Sequence, residues 1–262
     1  MKLPPCVLTI AGSDSGAGAG IQADSRTIHA LGGYALTAIT AVTAQNKRSV
    51  MAWRAISPAL LAAQIKAVTG DFHVAAAKTG LLPGIAAVKA IAESLPFGIS
   101  LVIDPVIGST SGTRFLSAAG VRALKKNLIP RATLITPNWP EAALLTGLPV
   151  TTFREAESAA WALLADGCQA VLVKGGHSGG RICRDCFVTT DSRERWFEHA
   201  RVNTPNTHGT GCVLSAAIAT GLARGRRIDT AVSDAVEFLQ RSLKAGRMVN
   251  WGGGGAGPAF AG

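Results

Sequence analysis

The chain has 262 residues, 48% of them hydrophobic and 16% charged, with a formal net charge of +10. That length supports one large domain or two small ones, and the balance excludes an intrinsically disordered chain. No apolar run is long enough to cross a bilayer, and the basic residues are too dispersed to form the aromatic-interleaved stripe of a nucleic-acid binder.

The first segment, Val7 to Ala11, reads as a buried strand ending at Gly12. Its position inside MKLPPCVLTIAGSDSG argues against a secretion leader, since the apolar stretch is short and runs into polar residues. A Gly-rich stretch, Gly12-Ser13-Asp14-Ser15-Gly16-Ala17-Gly18-Ala19-Gly20, joins this strand to a helix over Ile21 to Leu31. Tyr34 to Val42 is rich in β-formers, and Val50 to Ile56 alternates like a strand. Pro58 opens a helix to about Val68, with Ser57 as its N-cap. Further on, Leu101 to Asp104 is a short strand ending in an acid, and a helix is expected over Ala118 to Leu128. Leu134 to Thr136 is a strand, and Asn138 to Thr146 a helix stopped by Gly147. A helix over Ala156 to Ala165 precedes a strand over Ala170 to Lys174. Phe187 to Thr190 and Arg195 to His199 form a hairpin, and two long helices follow at about Gly211 to Ala223 and Asp229 to Lys244.

Strands alternating with helices predict a mainly parallel sheet covered on both faces, with ligands at the carboxyl ends of the strands. One domain over 1–250 is expected. The tail 251–262, WGGGGAGPAFAG, is too Gly-rich to hold structure alone. Five cysteines, an odd number, suit free thiols in a reducing, cytoplasmic compartment. Cys183 and Cys186 form a CxxC pair without the second ligand pair that a zinc site needs.

The run His208-Gly209-Thr210-Gly211-Cys212 carries the clearest chemistry. A Gly-rich turn opening into a helix directs backbone N–H groups and the helix dipole at an anion, so Gly209, Thr210 and Gly211 form a candidate phosphate hole. Cys212, in the first helical turn, is expected to have a lowered pKa and to accept a proton from a substrate hydroxyl. No GxxxxGK[ST] or GxGxxG pattern occurs. Asp104 and Glu141, both near strand ends, are of the kind that holds magnesium beside a polyphosphate, and Lys174 can reach a phosphate as a point charge.

The segments GSDSGAGAGIQAD, TAQN, KTG, IDPV, TPNWPEAALLTG, VLVKGGH and NTHGTGC follow one another along the chain. In that order they resemble the hydroxymethylpyrimidine/phosphomethylpyrimidine kinases of thiamine biosynthesis, within the ribokinase-like superfamily. The resemblance extends from about Leu8 to about Leu243. It implies a three-layer ribokinase-like α/β fold, ATP and Mg2+, and phosphorylation of 4-amino-5-hydroxymethyl-2-methylpyrimidine and then of its monophosphate. It implies that Gln45 binds the pyrimidine, with Asp24 and the Ala19 backbone beside ring and hydroxymethyl group and Thr43 bordering the pocket. Cys212 would take the proton-acceptor position, Asn138 and Glu141 would match the magnesium and phosphate motif, and the protein would be a homodimer. Where the family carries a lysine-bearing stretch after the IDPV segment, this chain reads IGSTSGTRF, so Ser109 to Gly112 is expected to form a flap without that lysine. A pyridoxal or pyridoxine kinase is the nearest alternative, since its substrate is also a flat ring with a hydroxymethyl group. A non-catalytic pyrimidine sensor is the alternative of another class, and nucleic-acid binding the weakest.

Overall fold

The computed structural model describes residues 3–108, 112, 114–191, 193–252 and 254–259. Nine strands form one sheet: β1 (Cys6–Asp14), β2 (Tyr34–Gln45), β3 (Val50–Ala55), β4 (Val74–Thr79), β5 (Ser100–Ile103), β6 (Leu134–Ile135), β7 (Ala170–Val173), β8 (Ile182–Thr189) and β9 (Glu194–Ala200). Their order is β3-β2-β1-β4-β5-β6-β7-β8-β9. The six strands from β2 to β7 in that order run parallel, while β3 at one edge and the β8–β9 hairpin at the other are antiparallel. The helices are α1 (Gly20–Ala30), α2 (Pro58–Asp71), α3 (Ile85–Ser94), α4 (Ala118–Asn127), α5 (Trp139–Thr146), α6 (Phe153–Leu164), α7 (Thr210–Ala223) and α8 (Ile228–Gly246).

The central strands are apolar on both faces, so adjacent residues enter different cores. Leu8, Ile10, Leu101 and Val171 pack with α2 to α6 on one face. Val7, Ala76, Val102 and Leu172 pack with α7 and α8 on the other. Helix α7 is buried through nine of its fourteen residues and lies against α1, α8 and the middle of the sheet. Its N-terminus is thereby fixed at the carboxyl edge, where β1, β4 and β5 end.

The expected elements are present, with the largest shifts at the hairpin, where β8 begins at Ile182, and at α6, which begins at Phe153. Ser57 caps α2 by accepting from Leu60 N–H. Strand β4 and helix α3 have no counterpart in the sequence reading. The tail also differs. Among its described residues, Gly257 O accepts from His208 N–H at 2.9 Å, Ala259 N–H donates to His208 O at 2.8 Å, and Ala259 is buried. The tail is therefore tied to the phosphate-hole turn at 257–259. Of the expected flap, Ser109, Thr110 and Ser111 lie outside the described residues. The CxxC pair is split because residues three apart on a strand face opposite ways. Cys186 enters the core, while Cys183 faces the cavity described next. All five cysteines are free thiols.

Candidate active site

A cavity of about 810 Å³ runs along the carboxyl ends of the parallel strands. Gln45, Thr43, Ala19 and His208 line one end, Cys212 and the turn Gly209 to Gly211 the middle, and Asp104, Asn138, Glu141 and Lys174 the other. Sequence reasoning placed each of these in a site except His208.

The middle is shaped by backbone. Gly209 has φ of 82°, a left-handed conformation that a side chain disfavours, and a Cβ there would collide with the Gly18 carbonyl. The two Gly-rich turns can meet only as glycine. At Gly211 a Cβ would come within 3.2 Å of Lys174 Nζ and 3.3 Å of Asp104 Oδ2. The space above the α7 N-terminus, between the turn and the lysine, is thus an anion-sized cradle that a side chain would fill.

Asp104 follows β5 and pairs with Lys174 at 2.9 Å. Burial works against the Lys174 ammonium, but the Asp104 and Glu141 carboxylates outweigh it and hold the amine above its usual value. Asn138 and Glu141 start α5 with a reciprocal capping box. Asn138 Oδ1 accepts from Glu141 N–H at 2.9 Å, and Glu141 Oε2 accepts from Asn138 N–H at 2.8 Å. That leaves the Asn138 NH2 for a ligand. Glu141 is pushed up to about 7 by burial and by the Asp104 carboxylate, against the pull of Lys174.

Because Glu141 binds a proton in the folded chain that the unfolded chain, near 4.5, has released, stability is expected to fall as pH rises between the two values. The drop is up to about 3 kcal/mol, taking 1.36 kcal/mol per unit. Denaturant midpoints should decline from pH 5 to pH 8 and level off above. Glu141→Gln preserves the capping box and should flatten that slope; a slope as steep as wild type would assign it elsewhere.

Two expectations are corrected. Cys212 is buried, and its thiol is pushed up to about 11, not down. Burial is the main cause, and the Asp24 and Asp104 carboxylates add to it, while Lys78 opposes them. Asp24 does not reach the cavity. It is fully buried and accepts from Lys78 Nζ at 2.8 and 3.0 Å and from Thr9 Oγ1. Ala19 does line the cavity, but its N–H donates to Asp14 Oδ2 at 2.9 Å and its carbonyl accepts from Ala23 N–H. It contributes a wall and no free polar group. Thr43 borders the cavity with its hydroxyl turned to the Ser13 carbonyl.

Asp14, which sequence reasoning passed over, organises the first turn. Its carboxylate accepts from the N–H groups of Gly16, Gly18 and Ala19 and lies 3.0 Å from His208 Nε2. At the opposite end, Asp185 holds the turn after Lys174 by accepting from Gly175 N–H at 2.7 Å, and is flanked by His199. The local signal for Asp14 is its place in the Gly-rich stretch that follows an apolar strand, whereas Asp185 lies inside β8 with no such signal.

The fold is the ribokinase-like α/β fold, shared with solved pyridoxal and phosphomethylpyrimidine kinases. The family described as phosphomethylpyrimidine kinase matches residues 14–259. A hydroxymethylpyrimidine/phosphomethylpyrimidine kinase of Rhizobium meliloti is 46% identical over 250 residues, covering 94% of this chain and 93% of that one. A phosphomethylpyrimidine kinase of Clostridium difficile has a TM-score of 0.80 and 36% identity, over 92% of this chain and all of that one. Bacillus subtilis pyridoxal kinase, solved as an ADP complex, has a TM-score of 0.85 and 32% identity, over 99% and 98% of the two chains. The chain belongs to the phosphomethylpyrimidine kinase family.

Proposed function

We propose that this protein transfers the γ-phosphoryl group of ATP to the hydroxymethyl oxygen of 4-amino-5-hydroxymethyl-2-methylpyrimidine, and then phosphorylates the monophosphate to the diphosphate, in thiamine biosynthesis. The observation that carries the reading is one continuous cavity. It holds an amide, Gln45, at one end, a thiol over a helix N-terminus in the middle, and a lysine with two carboxylates at the other. A flat ring fits the Gln45 end. Its hydroxymethyl group then points at Cys212 and the Gly209 to Gly211 cradle. The nucleotide phosphates occupy the Lys174 and Asn138 end. The similarity to a pyridoxal kinase solved with ADP supports ATP as donor.

Magnesium fits the residues present. Among the described residues no cluster of three or more ligating side chains forms a preformed cage. Magnesium, however, needs only one or two carboxylates once phosphates and waters fill its shell. Asp104 and Glu141 supply those, beside Lys174 at the phosphate end of the cavity. When bound, the ion supplies charge neutralisation on the polyphosphate. The chain's own residues do the rest. Lys174 holds a phosphate oxygen, the α7 N–H groups stabilise the equatorial oxygens, and Cys212, in its thiolate form, takes the hydroxyl proton. Positioning and electrostatics carry most of the rate.

The second reading is a pyridoxal kinase, favoured by the likeness to the B. subtilis structure. An ADP-release assay with the pyrimidine, its monophosphate and pyridoxal side by side decides between them. Both pyrimidines should be turned over faster than pyridoxal, and chelation of magnesium should abolish activity. Turnover of pyridoxal alone would overturn the proposal, and ADP release with none of the three would favour a sensor. A homodimer in the cytoplasm completes the reading, checked by light scattering and fractionation. No helix among the described residues is long and apolar enough to cross a membrane.

A further inference from the structure

His208 lies at the ring end of the cavity, outside the phosphate-handling machinery. Its backbone is clamped on both sides by the tail, through Gly257 O and Ala259 N–H, in a parallel bridge to Pro258. The ring therefore has a fixed base. Its Nε2 meets two groups at once: Asp14 Oδ2 at 3.0 Å and the Gln45 amide terminus at 3.1 Å.

The identity of the proton on that nitrogen follows from Asp14. The Asp14 carboxylate already accepts three backbone N–H groups, and burial, which would raise its pKa, is outweighed by the His208 and backbone hydrogen bonds that lower it. An ionised carboxylate only accepts. Nε2 must then carry its hydrogen and cannot also accept. The Gln45 group at 3.1 Å is placed as its NH2, yet two donors cannot share that contact. The amide oxygen belongs there, sharing the single Nε2–H with Asp14 Oδ2 in a three-centre hydrogen bond, which turns the NH2 away from His208. The Gln45 main chain has no freedom to compensate, because its N–H and C=O are both bonded to Ser15 Oγ at 2.8 Å.

We propose that His208 is a positioning residue for substrate selection: it fixes the Gln45 amide with its oxygen inward, so that Gln45 presents an N–H donor to the ring and selects a heteroaromatic substrate with an acceptor nitrogen at that edge. With the opposite orientation Gln45 would present an acceptor, and would select an exocyclic amino group instead. The proposal rests on the reading of the cavity as a hydroxymethyl-heteroaromatic site given above.

The test is a double-mutant cycle read in steady-state kinetics. It uses the hydroxymethylpyrimidine and two analogues in which one or the other ring nitrogen is replaced by CH. His208→Leu removes the Nε2–H at similar bulk. It should raise KM for the pyrimidine about ten-fold, the scale of one lost buried hydrogen bond, while KM for ATP stays within about two-fold. On a Gln45→Leu background the same change should cost nothing further. Wild type should discriminate against one of the two CH analogues, and His208→Leu should lose that discrimination. His208→Gln, which can place an N–H donor near the same point, should restore much of it. This variant keeps the test decisive if His208→Leu fails to fold. Additive losses in the cycle, a KM effect on ATP as large as on the pyrimidine, or undiminished discrimination in His208→Leu would overturn the proposal. Failure of the wild-type enzyme to phosphorylate the pyrimidine would instead overturn the reading beneath it.

Discussion

Replacing Cys212 by alanine should lower kcat by about a hundred- to ten-thousand-fold, the usual worth of general-base assistance. KM for the pyrimidine and for ATP should change little, because the cradle is made by backbone and by Lys174. The pH profile is the more diagnostic readout. A thiol pushed up to about 11 is protonated almost throughout the neutral range. If the thiolate is the base, log kcat of the wild type should climb with a slope near one above pH 7 and bend over at or below about 11. An ion bound at Asp104 and Glu141 would move the bend downward by offsetting Asp104, one of the two carboxylates that raise the thiol. Cys212→Asp supplies a base that is ionised at neutral pH, so its profile should be flat where that of wild type rises. Near-normal turnover in Cys212→Ala, or a flat wild-type profile, would remove the base assignment and leave phosphoryl transfer to positioning alone.

That prediction shows where the sequence is legible and where it is not. The start of α7 could be read locally, since glycines followed by an apolar helical run need no distant information. The burial of Cys212 could not, because it depends on α1, β4 and β5 closing around the helix. The same limit explains β4 and α3. Strand β4 reads VAAAKT, with three alanines of weak strand preference and a lysine that looks like a surface residue. Its assignment depends on pairing with β1 on one side and β5 on the other. Lys174 and Asp104 were legible because each ends a strand in a sheet whose ligands sit at strand ends. His208 was not, because its partners Asp14 and Gln45 are 194 and 163 positions away. The tail looked unstructured by composition, and is held by backbone hydrogen bonds that composition does not reveal.

The second large effect concerns stability. Lys78 and Asp24 form an ion pair with both side chains fully buried. Burial works against both charges and raises the Asp24 carboxyl despite Lys78, but at the lysine the Asp24 carboxylate outweighs burial and keeps the amine above its usual value. Removing one member of such a pair strands the other in a medium that cannot solvate it, at about 3–5 kcal/mol. Asp24→Asn should therefore lower the unfolding free energy by about that amount, and Tm by roughly 10 °C at the 2–4 °C per kcal/mol usual for a chain of this size. Whatever remains folded should bind the pyrimidine with nearly unchanged KM, because Asp24 does not line the cavity. A large rise in KM with intact stability would restore the substrate contact that the family resemblance implied. Removing both charges, in Asp24→Asn combined with Lys78→Met, should recover much of the lost stability, since no unpaired ion is left. It should not restore activity in full. The Cys212 thiol loses both Lys78, which opposes its rise, and Asp24, which adds to it; Lys78 is the larger influence, so the alkaline bend in log kcat should move up, though by less than loss of Lys78 alone would give. Stability and thiol chemistry thus share one buried lysine, and the double variant separates them: melting temperature reports the ion pair, and the pH profile reports the thiol.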